Sequence, residues 1–163
     1  MNRIIILSLE DESEVRQAII RDLEPFAPLF GIEAAEDVND ARGLIQALTE
    51  EGARVGVILC DHRLPGTSGV DFLAQLETDP TQQGMRKVLV TGQADQQDTI
   101  RAINSGGLDR YLGKPWKAGE LQQVVKEQLT EFLLDQKIDP VPYLGLLDDP
   151  RLLGEIGRSD RID

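Results

Sequence analysis

The sequence predicts an α/β fold, a five-stranded parallel sheet with helices on both faces. Three observations predict it. Short apolar, β-branched runs alternate five times with segments of helical periodicity, at spacings of roughly 20 to 30 residues, the size of a βαβ unit. The run Val55 to Cys60 is apolar throughout and ends at Asp61 in a turn rich in Pro and Gly. That is the pattern of a strand buried on both faces, which parallel sheets require. Finally, Glu10, Asp61, Thr91 and Lys114 each stand at the end of such a run, and ligands of open α/β sheets bind at that edge.

Taken in order, Arg3 to Leu9 is a β-branched first strand, followed by the acidic cluster Glu10 to Glu14. A helix follows with Val15, Ile19, Ile20 and Leu23 at helical spacing, Asp11 or Ser13 as its N-cap, and Pro25 as its stop. Phe30 to Ala35 reads as a weaker, edge strand. Asp40 to Glu50 is a helix with Ala41, Leu44, Ile45 and Leu48 inward and Gly52 as C-cap glycine. Val55 to Cys60 is the third strand. Gly69 to Leu76 opens the third helix, and Thr78 to Gly84, with Pro80, reads as a surface loop.

Lys87 to Thr91 is the fourth strand and 95–104 a short fourth helix with Ile100 and Ile103 inward. Gly106 and Gly107 stop that helix. Leu108 to Leu112 is the fifth strand. The fifth helix runs from Ala118 to Gln136 with Leu121, Val124, Val125, Leu129, Phe132 and Leu133 apolar. Of the two common doubly wound orders, five strands fit the flavodoxin-like 2-1-3-4-5. The domain is expected over 1–136. Residues 137–163 change character, with two prolines and Asp-rich turns. Leu144, Leu146, Leu147, Leu152, Leu153 and Ile156 make them an extension or linker able to pack on the domain or a partner.

Composition narrows the function. A formal net charge of -12 argues against a nucleic-acid binder, which needs clustered Lys and Arg, and suits attraction of a hard cation. One Cys excludes an intrachain disulfide and agrees with a reducing cytoplasm. It lies inside an apolar run, as a small core residue does. No apolar run reaches membrane-spanning length, and no signal peptide is evident.

In the expected strand order, Glu10, Asp11 and Asp61 meet at one sheet edge. Three like charges at close range raise one another's pKa unless a cation is present, and Mg²⁺ is commonly held by one or two carboxylates plus a phosphate. A carboxylate beside Mg²⁺ is a nucleophile toward phosphorus, and a lysine and a hydroxyl at neighbouring strand ends, Lys114 and Thr91, can hold the phosphoryl oxygens.

Glu10-Asp11, the run Asp61-His-Arg-Leu-Pro-Gly66 with Gly69, Val90-Thr91-Gly92, and Tyr111-Leu-Gly-Lys114-Pro115-Trp116 follow one another in register. Over roughly residues 3 to 134 this resembles the receiver domain of bacterial two-component response regulators. The resemblance implies that Asp61 is the phosphoacceptor, charged by a sensor histidine kinase, a phosphotransfer protein or a small phosphodonor. It implies that Glu10, Asp11, Asp61 and the backbone carbonyl of Arg63 position Mg²⁺. It makes Thr91 the hydroxyl that follows the phosphoryl group, Tyr111 the aromatic that follows Thr91, and Lys114 the phosphoryl partner, with a cis bond to Pro115. Three departures stand out. The first acid is Glu where Asp is commoner, Arg63 brings a cation near the site, and Gln93 can orient a water. His62, the only histidine, reads as a rim residue.

A phosphorylation-controlled signalling switch, not an enzyme, is therefore expected. An aspartate-nucleophile phosphohydrolase would carry an acid where Arg63 stands, and a non-phosphorylated interaction module would not need the acids, Thr91 and Lys114 together. A homodimer through the face of the fourth helix (95–104) and the fifth (118–136) is a further expectation.

Overall fold

The computed structural model describes residues 3–92, 97, 101, 107–147 and 149–159, with 155–159 by backbone alone. Five strands form one parallel sheet: β1 Ile4–Leu9, β2 Gly31–Ala35, β3 Arg54–Asp61, β4 Arg86–Thr91 and β5 Arg110–Gly113. Their order is β2-β1-β3-β4-β5, the doubly wound order expected, with β2 at one edge.

Alternation along the strands divides the apolar residues between two cores. On one face Ile4, Ile6, Val57, Leu59, Val88 and Val90 pack against α1 (Ser13–Asp22) and a long helix, Ala118–Asp135. On the other, Ile5, Leu7, Leu9, Ile58, Cys60 and Leu89 pack against α2 (Val38–Glu50) and α3 (Gly69–Glu77). The β1–β3 register shifts between Ile5 and Ile6, where β3 carries Gly56 as an extra residue. A Cβ on Gly56 would meet Ile4 Cγ2 at 2.8 Å and Phe132 at 3.3 Å, so the glycine leaves the room that Ile4 and Phe132 of the long helix occupy. The extra residue resets the parity of β3. With Leu9 opposite Cys60, Asp61 comes level with Glu10 and on the same face.

Several local readings are corrected. α1 is capped at Glu12 rather than Asp11 or Ser13, with no side-chain cap; the Glu12 N–H donates to Glu10 Oε2 at 3.2 Å. Ile20 is exposed, since Ile19 and Leu23 take the inward positions one turn apart. α2 starts at Val38, two residues early, because Asp37 caps it through the Asp40 N–H. Leu44 on α2 is only half-buried. Phe30 is core but precedes β2, and Leu108 is core but precedes β5. The surface loop 78–84 contains a short 3₁₀ turn, Pro80–Gln82, in which Gln82 is buried and donates to Thr49. Gly52 is a C-cap glycine as expected, with φ +83°.

The expected helix 95–104, with Ile100 and Ile103, and Gly106 and Gln93 lie outside the described residues, apart from Gln97 and Arg101, which are helical. Half of the expected homodimer face therefore lies outside them too. Beyond the long helix the chain turns back. A 3₁₀ turn, Val141–Tyr143, a single helical turn, Leu144–Leu147, and a terminal helix, Pro150–Ser159, follow. Tyr143, Leu147 and Leu152 are buried in the same core as the long helix.

Candidate functional site

The carboxyl ends of β1 and β3 deliver the acids. Glu10 and Asp61 are buried, Asp11 is exposed at the rim, and one carboxylate oxygen from each lies within 4.8 Å of the others. Lys114, from the loop after β5, reaches across to both strands. Its Nζ is 2.7 Å from Glu10 Oε1 and 3.3 Å from Asp61 Oδ1. The Lys114–Pro115 bond is cis, as the resemblance implied. Thr91 ends β4 and is 1 % exposed; its carbonyl accepts the Lys114 N–H at 2.9 Å, which seats the lysine loop on the strand end.

Burial pushes the Glu10 carboxyl up to about 7, against the hydrogen bonds from Lys114 and the Glu12 N–H, with the Asp61 charge adding to the rise. Burial pulls Lys114 down, but the bonds and charges of Glu10 and Asp61 outweigh it, and its pKa rises. Two acids and one amine thus share a partly desolvated chamber, in which the Lys114 charge offsets the cost of burying the Glu10 carboxylate. Cys60 next to it is wholly buried and its thiol is pushed up by burial first, so it is no nucleophile.

The other expected residues flank this group. Tyr111 is half-buried, two residues before Gly113 on the same face of β5. Its hydroxyl lies 3.1 Å from where a Gly113 Cβ would sit, so the ring lies along the strand over the glycine, and Gly113 is opposite Thr91. Arg63 is exposed and His62 half-buried in the loop after β3. The structure brings together Glu10, Asp11, Asp61 and Lys114; Thr91 and Tyr111 stand on adjoining strands.

Three residues support the site in roles the sequence did not reveal, although Gly69 and Trp116 stand in the motifs that carry the resemblance. Gly69 donates its N–H to the His62 carbonyl at 2.8 Å, and a Cβ there would run into the Asp61 carbonyl oxygen. A glycine eight residues after a strand-end acid was a visible signal, but its role needed the loop. Arg16 donates to the Glu10 carbonyl at 2.9 Å, clamping the first acid from α1. Trp116 Nε1 donates to Asp22 at 2.9 Å, tying the lysine loop to α1 across 94 positions of sequence. No local pattern announces such a pair.

A doubly wound sheet of this order, with acids from its first and third strands and a lysine after its fifth gathered at the carboxyl edge, is the architecture of receiver domains. The response regulator receiver domain family matches residues 6–126, and the chain belongs to that family. Among curated relatives it is 31% identical over 137 residues to the hydrogenase transcriptional regulatory protein HoxA of Bradyrhizobium diazoefficiens. That match covers 82% of this chain and 26% of HoxA. It is 31% identical over 147 residues to the phosphate regulon transcriptional regulatory protein PhoB of Escherichia coli, covering 89% of this chain and 60% of PhoB. The chain thus spans about a quarter of one relative's length and three-fifths of the other's. Among solved structures, a response regulator receiver domain protein from Methanospirillum hungatei superposes with TM-score 0.68 at 25% identity, covering 82% of this chain and 99% of that one. The receiver domain of an HD domain-containing protein from Pseudomonas fluorescens shares the fold, with TM-score 0.72 at 24% identity over 85% of this chain and 95% of that one. No helix among the described residues is long and apolar enough to cross a membrane.

Proposed function

We propose that the chain is a phosphorylation-controlled switch in which Asp61 accepts a phosphoryl group from the phosphohistidine of a sensor histidine kinase or phosphotransfer protein. The observation that carries this is Lys114 Nζ lying within 3.3 Å of Asp61 in a cluster of three carboxylates. The donor set suits Mg²⁺, being all oxygen, compact and open at the Asp11 side. Asp11, Asp61, the Arg63 carbonyl and, behind them, Glu10 would hold it. Bound there, Mg²⁺ neutralises the crowded carboxylates and the incoming phosphoryl oxygens.

An Asp61 carboxylate oxygen attacks the phosphorus. The P–O bond forms as the P–N bond breaks, and the electron pair leaves on the imidazole nitrogen, which takes up a proton. Lys114 exchanges its contact with Asp61 for a phosphoryl oxygen, and it is already charged and within reach. The Thr91 hydroxyl supplies a further hydrogen bond, and Tyr111 moves inward behind it. The new charge thereby shifts the population of the β4–β5 edge, which a partner reads.

Incubation with acetyl phosphate and Mg²⁺, read by intact-mass spectrometry, gives a single phosphoryl adduct on the wild type and none on Asp61→Asn. A wild type without an adduct overturns the reading. Multiple turnover of p-nitrophenyl phosphate would favour a hydrolase instead.

A further inference from the structure

The long helix is buried on more sides than one sheet demands. Thr130 lies nine residues, two and a half turns, beyond Leu121 and so points away from the sheet. It is nonetheless 1 % exposed. Among the described elements packed against this helix, two come from the chain's own end, the turn Leu144–Leu147 and the terminal helix. They form a strap. Tyr143 stacks on Phe30 with ring centroids 5.0 Å apart, Leu147 and Leu152 enter the core, and Arg151 pairs with Glu131 on the long helix.

The reversal that returns the strap is a Schellman motif. Ile138 N–H donates to the Leu133 carbonyl at 3.0 Å and Lys137 N–H to Leu134 at 3.3 Å. Its left-handed residue is Lys137, at φ 54°, where glycine is usual. A side chain in that region is strained, because its Cβ crowds the following carbonyl oxygen. If Lys137 instead becomes helical, that strain disappears, the long helix continues outward, and the strap leaves its own domain. The surface it leaves is complementary to one known segment, the same strap from another molecule. Exchange of an identical element needs no new interface, only a hinge.

We propose that this chain forms a strap-exchanged dimer, Lys137 being the hinge and residues 138–147 and 149–154 docking on the long helix and Phe30 of a second copy. The proposal does not depend on the phosphoryl reading.

The Arg151–Glu131 pair supplies the test, since both side chains are partly exposed, at 53% and 39%, and tolerate replacement. Glu131→Arg and Arg151→Glu each set like charges against one another when the strap docks on its own domain. In an exchanged heterodimer of the two variants, both contacts become opposite-charge pairs. Mixed at equal concentration without phosphodonor, the two variants sediment as a species of twice the 18.0 kDa chain mass. Each alone does so at least tenfold less. Tyr143→Asp in both chains removes that species. Variants that sediment in the mixture as they do apart overturn the proposal, as does a heterodimer that survives Tyr143→Asp. The hinge gives a second reading at matched concentration: Lys137→Ala raises the wild-type dimer fraction and Lys137→Gly lowers it. Equal fractions in the two hinge variants overturn the exchange.

Discussion

Gly69 shows how a single residue sets the site. Its Cα sits against the Asp61 backbone, with no room for a Cβ beside the carbonyl oxygen. Gly69→Ala forces the loop 61–69 outward or α3 away from β3. Overpacking of this kind costs about 1–3 kcal/mol. We expect a lower thermal midpoint, and phosphorylation by acetyl phosphate slowed more than stability loss explains, because Asp61 itself is displaced. A stopped-flow trace of the single tryptophan, which adjoins Lys114, would read that rate. An unchanged rate with a lowered midpoint would show that the loop yields without moving the acid. Lys87 makes a different point. It is 3% exposed and satisfied by Glu77 at 2.6 Å and the Met85 carbonyl at 2.9 Å. Glu77→Ala strands a buried ammonium and costs about 1–3 kcal/mol. Lys87→Met, which removes the charge as well, costs less, because an apolar side chain of similar volume suits the site. Chemical denaturation of the two variants ranks them.

At the scale of elements, the bulge in β3 and the reversal after the long helix decide where functional groups end up. Gly56 resets the alternation so that Asp61 shares a face with Glu10. The Schellman reversal at Lys137 returns the strap. Lys137→Gly relieves the left-handed side chain and raises stability, by at most about 1 kcal/mol once the greater freedom of glycine in the unfolded chain is subtracted. Urea unfolding checks this, and a fall in stability would mean that the lysine side chain holds the turn. The strap also has a pH signature. Hydrogen bonds from Arg151 hold the Asp149 carboxyl below the ordinary Asp value of 3.8. A depressed pKa means this contribution is complete above 3.8 and lost as pH falls below that value through the folded pKa. The strap is therefore expected to loosen at acid pH before the sheet does, seen as loss of amide protection over 150–154. Asp149→Asn removes that early step.

For the whole molecule, the carboxylate cluster works against a charge of -12, so a cation that binds only the folded chain stabilises all of it. Saturating Mg²⁺ is expected to raise stability by about 2.7 kcal/mol at a hundredfold excess over Kd, and a chelator to reverse it. Asp11→Asn removes most of the effect. A midpoint indifferent to Mg²⁺ would separate this cluster from metal binding. The same whole-molecule view separates what could be read early from what could not. The strand runs, the α2 and α3 periodicities, Gly52 at a helix end and the order of the sheet all rest on interactions within a dozen residues or on the handedness of crossovers, and these are written locally. The N-cap falls at Glu12 rather than at Asp11 or Ser13, and Ile20 faces outward because Ile19 and Leu23 take the inward positions.

The amino-acid sequence by itself determined five parallel strands in doubly wound order and the strand ends at which Glu10, Asp61, Thr91 and Lys114 stand, since period and turn chemistry are properties of neighbouring residues. The same order already brought Glu10, Asp11 and Asp61 to one edge; only the tertiary structure decided their burial and register, that Lys114 bridges 104 positions to Glu10, and that the end of the chain packs on the long helix. Those contacts depend on strand register, a one-residue bulge and a left-handed turn, each a matter of three-dimensional parity that no linear pattern carries.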